Sequence, residues 1–478
     1  MKFIKWLLFS FITLLIILSL FIFIVFKIEE SKTSYLKLSD NPSLKINTYT
    51  IKNVNIIPMN VDTVFVKMNI EIVDGVITRM SKELNGTEKN IIDAKGKYLS
   101  PGLIDMHIHL WDRFELGLYL ANGVTTVRNL WGMPMHLRIK NEINNNEMLS
   151  PLFITSSPKL TGAEFIGDDN LNLYSPDEAR EKVIKYEEDG YDFIKSYYGL
   201  TRDIYDAIID QAIKSNISIV AHPSQKVPFA YHFNPQIVSI EHAEDIVQEA
   251  LNFQLDSVKL DQVVKDFSKS NISFCPTLMA FYNIYRMIKD EDILSTKSAL
   301  MMNPLIQSTD SRDQFDRWQN SKANDSNIPI HIKKQHDFHL RIVKQFNDAG
   351  INIICGTDAG IGITVPGQSI HEELAFYKEA GLNNYDVLKT ATINASKVHK
   401  QLNNLGSIEK GKIANLILTS DNPLENLTVL KHPEWVMVKG RIINKKYLNE
   451  FVINANERSN LLITALRYLE YLVIERSL

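Results

Sequence analysis

The sequence contains little cysteine, and its charges nearly cancel. Its 478 residues include two cysteines, Cys275 and Cys355, which are too few for a disulfide framework or a four-thiolate zinc site. Both lie in apolar runs typical of strands, which favours buried, inert thiols over catalytic or paired ones. The 52 lysine and arginine residues against 56 acidic residues leave a net charge of −4. This balance indicates neither a nucleic-acid partner nor an acidic one.

The chain also lacks internal repeats, and it has no Gly-x-Ser-x-Gly motif of the kind that presents a nucleophilic serine. An acyl-enzyme mechanism is therefore not indicated. Hydrophobic residues at 45% and charged residues at 23% are typical of an ordinary globular protein. Because 478 residues exceed one ordinary core, we expect a large barrel with a smaller domain.

One long apolar run is present, at the amino-terminal end, where residues 6–26 carry no charge. A helix of this length rises about 31 Å, which matches the hydrocarbon core of a bilayer. No small-x-small cleavage site follows the run, which favours an uncleaved anchor over a cleaved signal peptide. We therefore predict a single-pass membrane anchor in residues 1–28 and a polar linker in residues 29–46. The short amino-terminal tail favours a cytosolic amino terminus and an extracytoplasmic body.

After the linker, short β-type runs give way to a repeated alternation of strands and helices. Eight apolar runs, each followed by a helical pattern or a turn, predict a (β/α)₈ TIM barrel, an α/β fold. A small β-sandwich domain, built from both flanks of the barrel, is expected to complete the molecule. The predicted segments are the first part of the small β domain (47–98), the barrel (99–400) with an insertion at about 279–350, the second part of the small β domain (401–448) and a C-terminal helix (449–478).

The predicted barrel is organised around residues 99–109, LSPGLIDMHIH. Alternate side chains of a strand share a face, so His107 and His109 project the same way and could hold one metal ion. Taken alone, a His-x-His pair is more often a chance occurrence than a pair of metal ligands. The carboxyl ends of barrel strands converge at one face, however, and ligand-type residues occur at or near four further strand ends. One dinuclear metal site would explain all of them: His107, His109, Lys195, His222, His242 and Asp358.

Five motifs, PGLIDMHIH, DFIKSYY, AHPS, EHAED and GTDAG, resemble in this order the metal-site strands of the amidohydrolase superfamily. The resemblance is greatest to its imidazolonepropionase-like and prolidase-like branch, and it extends over roughly residues 47–448. One departure lies in the small β domain, where Ala414-Asn415 stands in place of the usual Ala-Asp pair. The insertion at about 279–350 matches poorly, which leaves the substrate open.

The resemblance implies two divalent metal ions, zinc first among them, because imidazole and carboxylate ligands without thiolates suit zinc. It also implies a carbamate on Lys195, which would bridge the ions as an anionic oxygen donor. A metal-bridging hydroxide would attack the substrate carbonyl, and Asp358 would pass a proton to the leaving nitrogen. The implied ligands are His107, His109 and Asp358 for the more buried ion, and His222 and His242 for the second.

The sequence thus predicts a membrane-tethered hydrolase of C–N bonds in a small-molecule amide, cyclic amide or dipeptide, with an Xaa-Pro-type dipeptidase among the candidates. A mononuclear imidazolonepropionase-type hydrolase or a deaminase is the first alternative, although a single-metal site needs no bridging Lys195. A non-catalytic binding protein on the same fold is the second. Tyr198 and Tyr231 are candidate substrate contacts, since each could hold a carboxylate. Association into a homo-oligomer is compatible with this interpretation.

Overall fold

The structure, a computed structural model, describes residues 2–84, 86, 89–164 and 170–476. Its strands are β1 (Tyr49–Ile56), β2 (Phe65–Val73), β3 (Val76–Ser81), β4 (Ile91–Asp93), β5 (Tyr98–Pro101), β6 (Leu103–Ile108), β7 (Val124–Asn129), β8 (Leu152–Gly162), β9 (Asn170–Leu173), β10 (Phe193–Ser196), β11 (Ser218–Ala221), β12 (Ile237–Glu241), β13 (Ser273–Cys275), β14 (Leu416–Thr419), β15 (Trp435–Val438) and β16 (Arg441–Asn444).

The α-helices cover both the barrel and the two ends of the chain. They are α1 (Lys2–Lys32), α2 (Phe114–Ala121), α3 (Pro134–Asn144), α4 (Pro176–Glu188), α5 (Arg202–Lys214), α6 (Ala243–Asp245), α7 (Ser257–Ser268), α8 (Leu278–Lys289), α9 (Pro304–Ile306), α10 (Arg312–Asn324), α11 (Ile328–Asp348), α12 (Ser369–Glu379), α13 (Asn384–Thr390), α14 (Lys445–Asn456) and α15 (Leu461–Arg476).

The barrel is a parallel sheet in the order β6-β7-β8-β10-β11-β12-β13. Residues 351–360 take the eighth position without forming a regular strand. They bridge the first and last strands, because Ile354 donates its N–H to Phe274 (2.9 Å) and Cys355 accepts from Met106 (2.8 Å). Gly356 permits this close approach, since a Cβ atom there would lie 2.7 Å from that of His107. The predicted TIM barrel is therefore confirmed.

The second sheet is built from both flanks of the barrel, as expected. Its strands run in the order β16-β15-β14-β5-β1-β2-β3, and β4 pairs with β1. The first residues of the 99–109 stretch lie here and not in the barrel, because β5 pairs with β14 and β1. Gly102 separates β5 from β6, where a Cβ atom would lie 2.1 Å from the Thr125 hydroxyl. The barrel consequently begins at Leu103.

The segment predicted as an insertion divides into two parts. Helix α11 serves as a barrel helix before the eighth position, with Phe346 packed 4.7 Å from the ring of Phe274 and 4.8 Å from that of Phe267. Helices α8, α9 and α10 contribute side chains to the cavity at the carboxyl ends of the strands. Residues 278–324, which contain these three helices, cover this end of the barrel, and we call them the cap.

Both ends of the chain differ from the prediction. Residues 29–46 are packed against the body instead of forming a solvated linker, since Leu36 and Leu44 are buried and Leu36 accepts a hydrogen bond from the N–H of Leu149 (2.7 Å). The expected single C-terminal helix is two helices, α14 and α15. Between them Arg458 and Asn460 turn inward to the buried carboxylate of Asp112, at 3.0 and 2.7 Å.

Candidate metal centre

All six predicted ligand positions line one cavity of about 900 Å³ at the carboxyl ends of the barrel strands. They come from, or directly follow, five different parts of the barrel wall. Hydrogen bonds between neighbouring strands fix the backbone at the strand ends. The wall elements are β6 for His107 and His109, β10 for Lys195, β11 for His222, β12 for His242 and residues 351–360 for Asp358.

The first cluster of donor atoms joins His107, His109 and Asp358. Oδ1 of Asp358 lies 2.8 Å from Nε2 of His109 and 3.1 Å from Nε2 of His107. Although burial opposes the charge, the two imidazoles hold the pKa of the Asp358 carboxyl well below its usual range. Asp358 also has a left-handed φ of 58°, which is uncommon outside glycine and is found at functional positions. These three residues fit a cation held by two imidazoles and one carboxylate.

The second cluster joins His222 and His242 with Asp245, a carboxylate that was not predicted. Nε2 of His222 lies 3.0 Å from Oδ2 of Asp245, without hydrogen-bond geometry. Within the described chain, both ring nitrogens of His222 and Oδ2 of Asp245 are buried and have no hydrogen-bond partner. Nδ1 of His242 pairs with the Thr277 hydroxyl (2.8 Å), which leaves its Nε2 for a metal. Such orphaned donor atoms fit a second cation.

Lys195 lines the same cavity as the two clusters and is 1% exposed. Its ammonium nitrogen has no hydrogen-bond partner among the described residues. Burial, opposed by the attraction of Glu241, lowers the pKa of Lys195 to about 8. A substantial fraction of neutral amine therefore exists near neutral pH, which is the form that carbamate formation requires.

A buried network supports the first cluster from behind. Nδ1 of His107 lies 2.8 Å from Oε2 of Glu241, so the Nε2 atom of the same ring faces Asp358. The second oxygen of Glu241 accepts a 2.8 Å hydrogen bond from the guanidinium of Arg128. Cys275 lies beside this network, and burial raises the pKa of its thiol well above the usual value. Both cysteines are buried and free, as predicted.

The two predicted substrate contacts differ in position. Tyr198 lines the cavity, its ring 4.0 Å from that of His222 and its hydroxyl 3.2 Å from Asp245. Tyr231 lies outside the cavity, because its hydroxyl donates to Asp206 and its ring packs 5.4 Å from that of Tyr205. The expected contact between Tyr231 and substrate is therefore not supported.

The cap supplies the outer wall of the cavity. Its contribution is mixed, because apolar side chains and polar or charged ones line the cavity in equal number; the polar or charged ones are Thr309, Asp310, Asp313, Gln314, Arg317 and Ser321. Tyr468 of α15 joins the same wall from the carboxyl-terminal end of the chain. The cap side chains that line the cavity include Ala280, Phe281, Ile284, Leu305, Ile306 and Trp318.

The model of the amidohydrolase family matches residues 119–443, which include most of the barrel and the second part of the small sheet. This chain belongs to the amidohydrolase family. The resemblance inferred from the five strand motifs is thereby confirmed. The family match does not itself assign the metal ligands, which rest on the geometry above.

Individual relatives are more distant. A dihydroorotase of Carboxydothermus hydrogenoformans is 45% identical over 62 residues, which are 13% of this chain and only 14% of that protein. A bottromycin amidohydrolase structure has a TM-score of 0.73 at 22% identity, over 90% of this chain and 94% of that one. A structure of an Xaa-Pro dipeptidase with bound methionine has a TM-score of 0.62 at 19% identity, over 83% and 100%. At these identities the two structures show that the fold is shared.

Proposed function

We propose that this chain is a metal-dependent hydrolase of C–N bonds in small-molecule amides, cyclic amides or dipeptides. The observation that carries the proposal is the meeting of all six predicted ligand residues at one cavity, five of them in two donor clusters. Family membership supports it. The names of the similar proteins, an amidohydrolase and a dipeptidase, also point to a C–N bond.

The residues present fit two divalent ions, zinc first among them, which would supply an activated water and a polarised substrate carbonyl. His107, His109 and Asp358 would hold one ion, and His222 and His242 the other. Lys195 would bridge them as a carbamate. Asp358 stays ionised beside two imidazoles, so it can accept a proton at its free oxygen and deliver it to the leaving nitrogen.

A mononuclear hydrolase or deaminase is the second candidate. It would use the first cluster alone and would leave the Lys195 amine, both ring nitrogens of His222 and Oδ2 of Asp245 buried without a hydrogen-bond partner among the described residues. Buried polar groups without partners are costly, and here they come together at one place. A non-catalytic binding protein would have no need of such a cluster. The second cluster therefore favours the dinuclear enzyme over both alternatives.

Metal analysis of the full-length protein in detergent, followed by a substrate screen, tests the proposal. We expect about two equivalents of divalent metal per chain after purification with metal and bicarbonate. A screen of dipeptides, N-acyl amino acids and cyclic amides should yield activity that a chelator removes and added metal restores. A reproducible single equivalent would support the mononuclear candidate, and two equivalents without hydrolysis of any amide would contradict the proposed reaction.

We also propose that α1 anchors the chain in a membrane through residues 6–26, with the body on the extracytoplasmic side. Among the described residues, one helix, Phe3–Lys32, is long and apolar enough to span a bilayer, with a mean hydropathy of 3.0. The protein should then stay with membranes through an alkaline carbonate wash. Protease added to cells stripped of their wall should remove the body. Digestion only after lysis would reverse the orientation.

A further inference from the structure

Helix α15 is amphipathic, and it buries two of its three charged side chains between positions 461 and 475. Arg467 is buried in an ion pair with Glu29 of α1, one oxygen of which accepts at 2.9 Å. Glu475 is buried as well and accepts from the Tyr186 hydroxyl (2.8 Å). Glu470 pairs with Arg138 of α3 at 2.6 Å. All three charged residues between positions 461 and 475 are therefore bound to the body.

The outward face of the same helix is apolar. Leu462, Leu469 and Val473 are between 44% and 52% exposed. With Leu466, which is half-buried, they follow a spacing of four, three and four residues, so they form one stripe. A helix that faces water carries its polar side chains on that side. The reverse arrangement marks a surface with an apolar partner.

The position of the stripe indicates which partner covers it. Helix α15 crosses the end of α1, where Lys32 donates to the Ser459 hydroxyl (2.8 Å) and the Arg467 guanidinium lies 5.8 Å from the Phe26 ring. Leu462 lines the same small cavity as Val25 of α1. The stripe therefore continues the exposed apolar surface of α1 at the end of the proposed span.

We propose that the outer face of α15 lies in the surface layer of the lipid bilayer. The inference rests on the proposed membrane span of α1. Because that span ends at residue 26, side chains beside Val25 lie at the boundary between acyl chains and headgroups, where an apolar helix face is stabilised. Two elements, α1 and α15, then hold the body against the membrane at a fixed orientation. Tyr468, next to Leu469, joins the cavity wall, so the lipid-facing helix is also part of the active site.

Fluorophores attached to single cysteines test this arrangement in the full-length protein. The native Cys275 and Cys355 are buried, so an environment-sensitive thiol label reacts at an introduced cysteine. The test positions are Leu469→Cys and Val473→Cys on the stripe. Ile16→Cys, 62% exposed, reports on the span, and Val258→Cys, an apolar residue of α7 that is 80% exposed, is the matched control. The wild-type protein, treated with the same label, gives the background fluorescence that does not come from an introduced cysteine.

The labelled proteins are placed in vesicles of phosphatidylcholine and phosphatidylglycerol that contain spin-labelled lipid. We expect quenching at positions 469 and 473 at least threefold stronger than at 258, with a shallow spin label more effective than a deep one. Position 16 should show the opposite depth preference. If 469 and 473 behave like 258 while 16 is quenched, α15 faces water and the inference fails, but the anchor stands.

The remaining outcomes are equally decisive. If position 16 is not quenched either, the proposed span fails together with the inference. If the labels at 469 and 473 shift to the blue without quenching, and the shift disappears at low protein-to-lipid ratio, a second copy of the chain covers the stripe and the inference is wrong. Unchanged metal content and thermal unfolding of each labelled variant establish that the label has not disturbed the fold.

Discussion

Removal of the Lys195 amine should separate the two metal sites. Lys195 is the residue that we propose as the bridge between the clusters, and its nitrogen has no hydrogen-bond partner among the described residues. We expect Lys195→Ala and Lys195→Met to retain about one equivalent of metal and to lose most activity. The two variants differ in the space they leave. Short carboxylic acids should restore part of the second equivalent in Lys195→Ala but not in Lys195→Met, whose side chain fills the gap.

The pKa of Lys195 gives this prediction a magnitude. With a pKa of about 8, roughly half of the amine is neutral at pH 8 and about 1% at pH 6. For an exposed lysine, with a pKa of about 10.4, the neutral fraction at pH 8 is only about 0.4%. Because only the neutral amine reacts with carbon dioxide, the rate of carbamate formation in the metal-free protein should rise about 50-fold between pH 6 and pH 8.

The assay reconstitutes metal-free protein with zinc and ¹³C-labelled bicarbonate at a fixed concentration of dissolved carbon dioxide. Carbamate is followed by ¹³C NMR, and the second equivalent of metal by elemental analysis. Lys195→Met measures the pH dependence that comes from the imidazoles alone, which includes His107, whose pKa the Asp358 carboxylate raises against the effect of burial. A second equivalent that binds at the same rate at pH 6 and 8, or that binds to Lys195→Met, would refute the bridging role.

Three further predictions concern the residues around the metal centre and the anchor. Asp358→Asn keeps the shape of the side chain but cannot accept a proton, so kcat should fall by roughly 10²–10⁴ while the protein stays folded; full activity would exclude Asp358 as the base. Glu241→Gln should weaken metal binding at the first cluster by about 10–100-fold, measured by competition with a chelator, because the His107 ring loses its charged partner. Glu29→Gln leaves Arg467 buried without a counter-ion and should cost about 3–5 kcal/mol in the free energy of unfolding in detergent. Glu30→Gln, its half-exposed neighbour, is the matched control and should cost less than about 1 kcal/mol.

The convergence of the ligand residues was predictable because a parallel barrel brings all strand ends to one face. His107, His222 and His242 each follow an apolar run, and that pattern is visible in sequence. Asp245 was also visible in EHAED, but an acidic residue in the first turn of a helix ordinarily stabilises the helix dipole, which concealed it. Glu241 ends the buried strand β12, where a carboxylate needs a partner. Its partner Arg128 is 113 residues away in sequence, so local patterns could not pair them.

The structure differs from the prediction at two places where tertiary packing outweighs what the local sequence indicates. The polar segment 29–46 reads as a linker, yet two leucines, Leu36 and Leu44, anchor it to the body. Tyr231 follows a barrel strand, as a substrate contact would. The short turn of helix Phe229–His232 directs it to Asp206 of α5 instead. In both cases a few specific contacts outweigh the average character of the segment.

The barrel and the cap therefore divide the work of the proposed enzyme. Strand ends fixed by the hydrogen bonds of their neighbours position the candidate ligands, of which Lys195, His222, His242 and Asp358 lie in the part of the chain that the family model matches, whereas His107 and His109 precede it. The outer wall comes from the cap and α15, which add both apolar and charged side chains, and Tyr468, to the cavity. Substitutions in this wall, such as Ile284→Ala, should accordingly change KM among amide substrates while metal content stays at two equivalents. A loss of metal from cap variants would show that the cap also supports the centre.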